Sequence, residues 1–243
     1  MSALPIRSCG KSDTGLVRKH NEDSMLVNDA LGLWLVFDGM GGHTNGALAS
    51  QTAAAAFDPF EMPQDFANAV TAVAERVHQV NGVLAEVAAR EGIERMGTTA
   101  VGLLVKDREF ATVWVGDSRA YIYRRGGLFQ LSVDHTHVQE LLDQGLLTPE
   151  DAADHPMSHV LTRALGVEPE GHVDIVQDEI EPGDRFLLCS DGLTGPLSDG
   201  EIGELMGLPD IDEAVDRMIA FAHERGAPDN VTAIVVEIGQ GGS

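Results

Sequence analysis

Basic residues are scarce in this sequence. Lys and Arg total 16 against 39 Asp and Glu, for a formal charge of −23. Sequence-independent binding to nucleic acid needs a basic surface that neutralises phosphates. Docking on anionic lipid needs the same. Neither nucleic acid nor membrane is therefore expected as a partner. The acidic excess keeps molecules apart in solution, and any local cluster of acids is a place for cations. Cysteine is nearly absent too, with only Cys9 and Cys189. Two thiols make no disulfide framework for a chain of 243 residues, which points to a reducing compartment. No apolar stretch approaches the roughly 20 residues that span a bilayer. The opening segment MSALPIRSCGKSDTG has no apolar h-region, so no secretory leader is expected. There is no repeat period. The one low-complexity stretch, GQGGS at 239–243, is expected to be a flexible tail. The expectation is a cytoplasmic monomer.

Apolar residues make up 43% of the chain, enough for a sizeable core. Layered β-rich domains reach roughly 250 residues as one unit, so by length one large domain and two small ones are equally open. Six short runs read as buried strands: Leu33–Phe37, Val101–Val105, Thr112–Val115, Ala120–Tyr123, Arg185–Ser190 and Val231–Ile238. Each is rich in aliphatic or aromatic residues and flanked by Gly, Asp or Asn. Arg125-Gly126-Gly127 between two such runs reads as a hairpin. Between Pro63 and Arg90, Phe66, Val70, Val73, Val77, Val80, Leu84 and Val87 step by four and three, which predicts one long helix closed by Gly92. Further helices are predicted over Asp212–Arg225, from about Thr136 to Gly145, and near Pro149 with Thr148 as N-cap. Consecutive strands over Thr98–Leu131 favour antiparallel sheet with helices packed on it, an α+β layered domain.

Several apolar runs meet an aspartate at one end. LWLVF leads into Asp38-Gly39, RFLLCS into Asp191-Gly192, and TVWV into Gly116-Asp117. Asp229 opens the last strand, and Asp23 lies before the first of the six. A strand end is a rigid mount beside open loops. Glycine after the aspartate lets the chain turn and lets its carbonyl approach an ion. Mg²⁺ and Mn²⁺ prefer carboxylate, carbonyl and water oxygens. Two such ions about 3.5–4 Å apart lower the pKa of a shared water and make it a nucleophile at neutral pH. One Asp-Gly after a strand is ordinarily a turn. Four with matched flanks favour ligands, although spacing alone does not bring them together.

The chain resembles the metal-dependent protein phosphatases of the type 2C family, in particular its short bacterial branch. The resemblance rests on TGLVRKHNEDS (14–24), LVFDGMGGHTNG (35–46), GTTAVGLLV (97–105), VGDSRAYIYR (115–124), VDHTHVQELLDQG (133–145), LTRALG (161–166), PGDRFLLCSDGLT (182–194) and APDNVTAIVV (227–236), in family order. It implies one domain over 1–243 with an ordered core over about 8–238, built as a four-layer α-β-β-α sandwich, two mainly antiparallel sheets flanked by helices, with metals in a cleft at one end. It implies Mn²⁺ or Mg²⁺, two ions per chain. Asp38 would bridge them, Gly39 would bind one through its carbonyl, and Asp191 and Asp229 would complete the second. Asp23 would act at one remove, through water. Asp117 matches the position that holds a third ion in some members. Arg18 matches the arginine that binds the substrate phosphate, for which a planar fork of donors is suited. The implied reaction is hydrolysis of phosphoserine and phosphothreonine in proteins, opposing a separate bacterial serine/threonine kinase.

One position departs from many eukaryotic members. Met40 stands where they carry a histidine proposed as general acid, and thioether sulfur has no proton to give. His43 and a metal-held water are the open alternatives. Asp134 and His135 read as a structural turn ahead of a helix. Thr148–Arg163, with Asp151, Asp154, His155 and His159, corresponds to a variable flap beside the cleft. Neither Cys9 nor Cys189 is needed as a nucleophile, and Cys189 reads as core. The rival readings are an inactive phosphoprotein-sensing module on the same fold, and a nuclease or small-molecule phosphohydrolase.

Overall fold

The structure, a computed structural model, describes residues 4–41, 44–153, 155–167 and 172–240. In chain order the elements are β1 (Ile6–Asp13), β2 (Asp23–Asn28), β3 (Leu33–Met40), α1 (Asn45–Ala55), α2 (Phe66–Glu91), β4 (Gly97–Thr98), β5 (Ala100–Lys106), β6 (Glu109–Val115), β7 (Arg119–Arg124), β8 (Gly127–Gln130), α3 (His137–Asp143), α4 (Pro149–Ala153), β9 (Asp174–Glu179), β10 (Arg185–Cys189), α5 (Asp191–Thr194), α6 (Asp199–Met206), α7 (Ile211–Glu224) and β11 (Val231–Ile238).

The strands form two sheets. One has the order β1-β11-β10-β7-β8. The other runs β2-β3-β5-β6-β9, with β4 paired to β3. Every pairing among the described strands is antiparallel.

Alternation along each strand sorts its side chains into two cores. Trp34 and Val36 of β3 face between the sheets. There they join Val101, Leu103, Phe110, Phe186, Leu188, Ile234 and Val236. Leu33, Leu35 and Phe37 face the opposite way, against Val70, Val73, Val77, Val80 and Leu84 of α2 and Ala49 and Ala53 of α1. On the other sheet Leu187, Cys189, Ala233 and Val235 meet Ile202 and Met206 of α6 and Val215 and Met218 of α7. The result is the expected α-β-β-α sandwich. It also explains why antiparallel strands read as unbroken apolar runs, since both faces of both sheets are covered.

The long helix matches its predicted stripe. Asp65 caps its start by accepting from the Asn68 N–H at 3.0 Å, and Gly92 ends it in the left-handed region. Thr148 caps α4 as expected, and Thr136, near which α3 was expected to begin, is its N-cap. The strands missed in the sequence, β1, β2 and β9, are all sheet edges. Their half-exposed, polar sequences IRSCGKSD, DSMLVN and DIVQDE follow from that position. Helix α1 was missed because its inward positions are small, Gly46, Ala49, Ser50 and Ala53, and leave no large apolar stripe. Among the described residues no helix is long and apolar enough to cross a membrane. Residues 241–243 of the expected tail lie outside the described residues.

Phe186 is fully buried between the sheets with its ring 4.7 Å from that of Phe110. Phe186→Ala is expected to destabilise the fold by about 3–5 kcal/mol, read from the urea midpoint.

Candidate active site

Antiparallel register brings the aspartates to one end of the sandwich. Asp23, the first residue of β2, lies directly opposite Asp38 near the end of β3. Cys189, closing β10, pairs with Ala233 near the start of β11, so Asp191 and Asp229 emerge at a common end. Ala100 pairs with Val115, and Asp117 follows after Gly116. Arg18, Asp38, Gly39, Asp117, Asp191 and Asp229 line one cleft of about 270 Å³, together with Glu22, Met40, Thr99 and His159. Of the expected site residues, Asp23 alone does not reach the cleft wall. It is buried behind it, and its Oδ2 accepts from the Ser190 hydroxyl at 2.8 Å and the Thr232 hydroxyl at 2.7 Å.

The glycines after Asp38 and Asp191 do not make the expected turn. Neither has a positive φ. A Cβ on Gly39 would lie 2.0 Å from the Gly46 carbonyl oxygen, and one on Gly192 would lie 1.8 Å from that of Asn230. They are needed for close approach of backbone, because β3 continues to Met40 and α5 starts directly at Asp191.

Residues that the sequence reading passed over hold these positions. The Asp38 N–H donates to Thr99 Oγ1 at 3.1 Å, and Thr98 Oγ1 donates to the Asp38 carbonyl. Asn230 donates to the carbonyls of Thr14 and His20 and accepts from the Glu22 N–H, tying the Arg18 loop to β11. Asn230 follows Asp229 directly, and that adjacency was its only signal. Arg18 is half exposed, and its Nη2 stands 2.6 Å from Asp229 Oδ2. His159, on the expected flap, has Nδ1 3.8 Å from Asp191 Oδ2. His43 and Asp154 lie outside the described residues. His135 is structural: its Nδ1 accepts from the Gly116 N–H, its Nε2 meets Asp174 at 2.9 Å, and burial lowers its pKa. Cys189 is buried core, as expected.

The crowding has an electrostatic cost. Burial pushes the Asp38 pKa well up, and Asp23, Asp191, Asp117 and Asp229 add to it in that order. Asp191 is raised by burial and by Asp229, while His159, a hydrogen bond with Asp38, and Arg18 pull the other way. Asp117 is raised to about 7, by burial and then by Asp191. Burial brings Asp23 to about 6. Carboxylates held this way favour a cation between them. The donors are oxygens, the set that suits Mg²⁺ or Mn²⁺. Among the described residues no group of three or more His, Cys, Asp or Glu side chains stands placed to hold a metal ion by itself. Hard ions complete their shells with water and carbonyl oxygens, so an open set of this kind fits them.

In chelator, Asp23 and Asp117 bind protons more tightly when folded than when unfolded. Their contribution to stability is full below the ordinary carboxylate value of about 4 and is lost as pH rises through about 6 and 7. Asp13 and Asp212 are shifted the other way and act at lower pH. The melting temperature without divalent metal is therefore expected to fall from pH 5 to 8. Asp117→Asn should narrow the drop, and a steady rise to pH 8 would contradict the assignment.

Comparison with known proteins follows the same line. The family described as protein phosphatase 2C matches residues 17–235. The chain is 38% identical over 239 residues to the serine/threonine protein phosphatase PstP of Mycobacterium tuberculosis, covering 97% of this chain and 45% of that protein. It thus spans about half the length of that relative. The serine/threonine phosphatase stp of Listeria innocua is 35% identical over 236 residues, covering 93% of this chain and 94% of its own length. The crystal structure of the PstP catalytic domain in complex with two manganese ions superposes with a TM-score of 0.86 at 38% identity, covering 97% of this chain and 99% of that one. On the profile match, the relatives and the shared architecture, the chain belongs to the protein phosphatase 2C family.

Proposed function

We propose that this chain is a metal-dependent protein-serine/threonine phosphatase, one catalytic domain acting as a monomer in the cytoplasm against a separate serine/threonine kinase. The carrying observation is the convergence of Asp38, Asp117, Asp191 and Asp229 in one cleft with Arg18 at its side. An inactive sensing module would be free to lose these carboxylates, and none is lost.

In this reading Asp38, the Gly39 carbonyl, Asp191 and Asp229 would hold two Mn²⁺ or Mg²⁺ ions. Asp23 would act from behind through water, and Asp117 would serve a third ion. Bound there, the ions supply an activated water and offset the phosphate's charge. Arg18 clamps the phosphate through its guanidinium fork. That role requires it to leave Asp229, which it now holds at 2.6 Å. Asp229 would then be available to hold a metal, and Arg18 to bind the substrate phosphate. Thr98 and Thr99 keep the Asp38 backbone in place while charge moves in the cleft. Met40 lines the cleft and has no proton for the leaving oxygen, so that proton comes from elsewhere.

With Mn²⁺ the protein is expected to release phosphate from a phosphothreonine peptide and to stop in chelator; no turnover on any phosphopeptide overturns the reading. Asp38→Ala and Asp191→Ala should each lower kcat/KM by more than about a hundredfold while preserving the circular dichroism spectrum. Arg18→Ala should raise KM, and by freeing Asp229 it should tighten Mn²⁺ binding about two- to fivefold in calorimetry. Unchanged or weaker Mn²⁺ binding would sink the Arg18–Asp229 competition.

A further inference from the structure

A second, larger depression opens from the cleft. It measures about 850 Å³ and shares Asp117, His159 and Asp191 with the cleft. Two other depressions, one beside β1 and α7 and one beside α2, share no residue with the cleft. A protein substrate that places one phosphorylated side chain in the cleft must lay the neighbouring residues along the surface. This groove is the course that the shared wall opens to them.

Its lining mixes apolar and acidic side chains. The helices α3 and α4 contribute the apolar Val138, Leu142, Pro149 and Ala152. Asp199 and Glu201 of α6 also line it, with Asp134 on the β8–α3 connection. Arg119 is the one Lys or Arg among the described lining residues, and Asp134 already holds it by a bidentate contact at 2.9 and 2.7 Å. Glu201 is likewise engaged, by Arg225 and by the Ser198 capping box. Asp199 is different. It is exposed, and the hydrogen bond it accepts comes from the neutral Tyr121 hydroxyl at 3.0 Å. A cationic side chain entering the groove therefore finds a carboxylate that makes no ion pair among the described residues, in a groove whose apolar lining can cover its methylene stem.

We propose that this groove receives the polypeptide on one side of the phosphorylated residue and selects substrates with basic side chains there, Asp199 being the charge that reads them. The proposal rests on the phosphatase reading above. The protein's overall negative charge attracts any basic peptide. A groove, by contrast, predicts a preference tied to one side of the phosphoresidue and to one carboxylate.

The test is kcat/KM with Mn²⁺ for five phosphothreonine peptides: a neutral parent, and versions with two Arg or two Glu placed either before or after the phosphothreonine. p-Nitrophenyl phosphate, which is too small to reach the groove, serves as the reference substrate. On one side only, the Arg peptide is expected to exceed the Glu peptide by about tenfold, the scale of a pair of partly exposed charge contacts. Asp199→Asn, which keeps an acceptor for Tyr121, should shrink that ratio. Asp199→Lys should reverse it, with both variants unchanged on p-nitrophenyl phosphate. Equal rates for Arg and Glu peptides, an Arg preference of the same size on both sides, or an Asp199→Lys variant that keeps its preference would each overturn the groove assignment. No turnover of any peptide or of p-nitrophenyl phosphate would instead overturn the phosphatase reading beneath it.

Discussion

Like charges gathered at one end of a β-sandwich repel, and the rest of this molecule is arranged to hold them there. Asp38, Asp191 and Asp117 all have raised pKa values, with burial as the leading cause and their neighbours next. No side chain would choose this position for stability. The register does the holding: β2 against β3, β5 against β6, and β10 against β11 end at the same level, so their terminal residues share one cleft. Continuous apolar runs on both faces of both sheets make that register stiff, since a one-residue slip would turn every buried side chain to the wrong layer.

Around the carboxylates stands a polar layer that keeps them aimed. Ser190 and Thr232 hold Asp23 from two different strands. Thr98 and Thr99 hold the Asp38 backbone, and Thr99 in turn meets the Ser118 hydroxyl at 2.7 Å. Asn230 pins the loop that carries Arg18. Gly39 and Gly192 let neighbouring backbone come within a distance no Cβ permits. A site under electrostatic strain needs such support, because a loosely held carboxylate would swing outward to water. The acidity continues past the cleft into the groove between α3–α4 and α6, where arginines already neutralise two of the wall carboxylates.

Legibility in the sequence followed burial. The six central strands and the α2 stripe were readable because both faces, or one whole face, are apolar and periodic. The edge strands β1, β2 and β9 were not, because an edge exposes polar side chains and imitates a loop. The small-residue helix α1 lacked a stripe for the same kind of reason. In the site, the repeated placement of aspartate at strand ends was readable, and the structure brings those residues together. The turn expected at the following glycines is not what demands them: backbone crowding does, and crowding is invisible until distant segments meet.

By itself the sequence determined the strand runs, the long helix, the acidic character and the set of aspartates from which a cation site could be built. These depend on local pattern and composition, which a linear chain displays directly. Only the tertiary structure decided that Asp23 sits behind the cleft while the other four aspartates line it. Only it paired Arg18 with Asp229 and gathered apolar and acidic side chains along one groove. Those relations join residues up to 211 positions apart in the chain. They exist because sheet pairing and layer packing fix distances that spacing along the sequence leaves open.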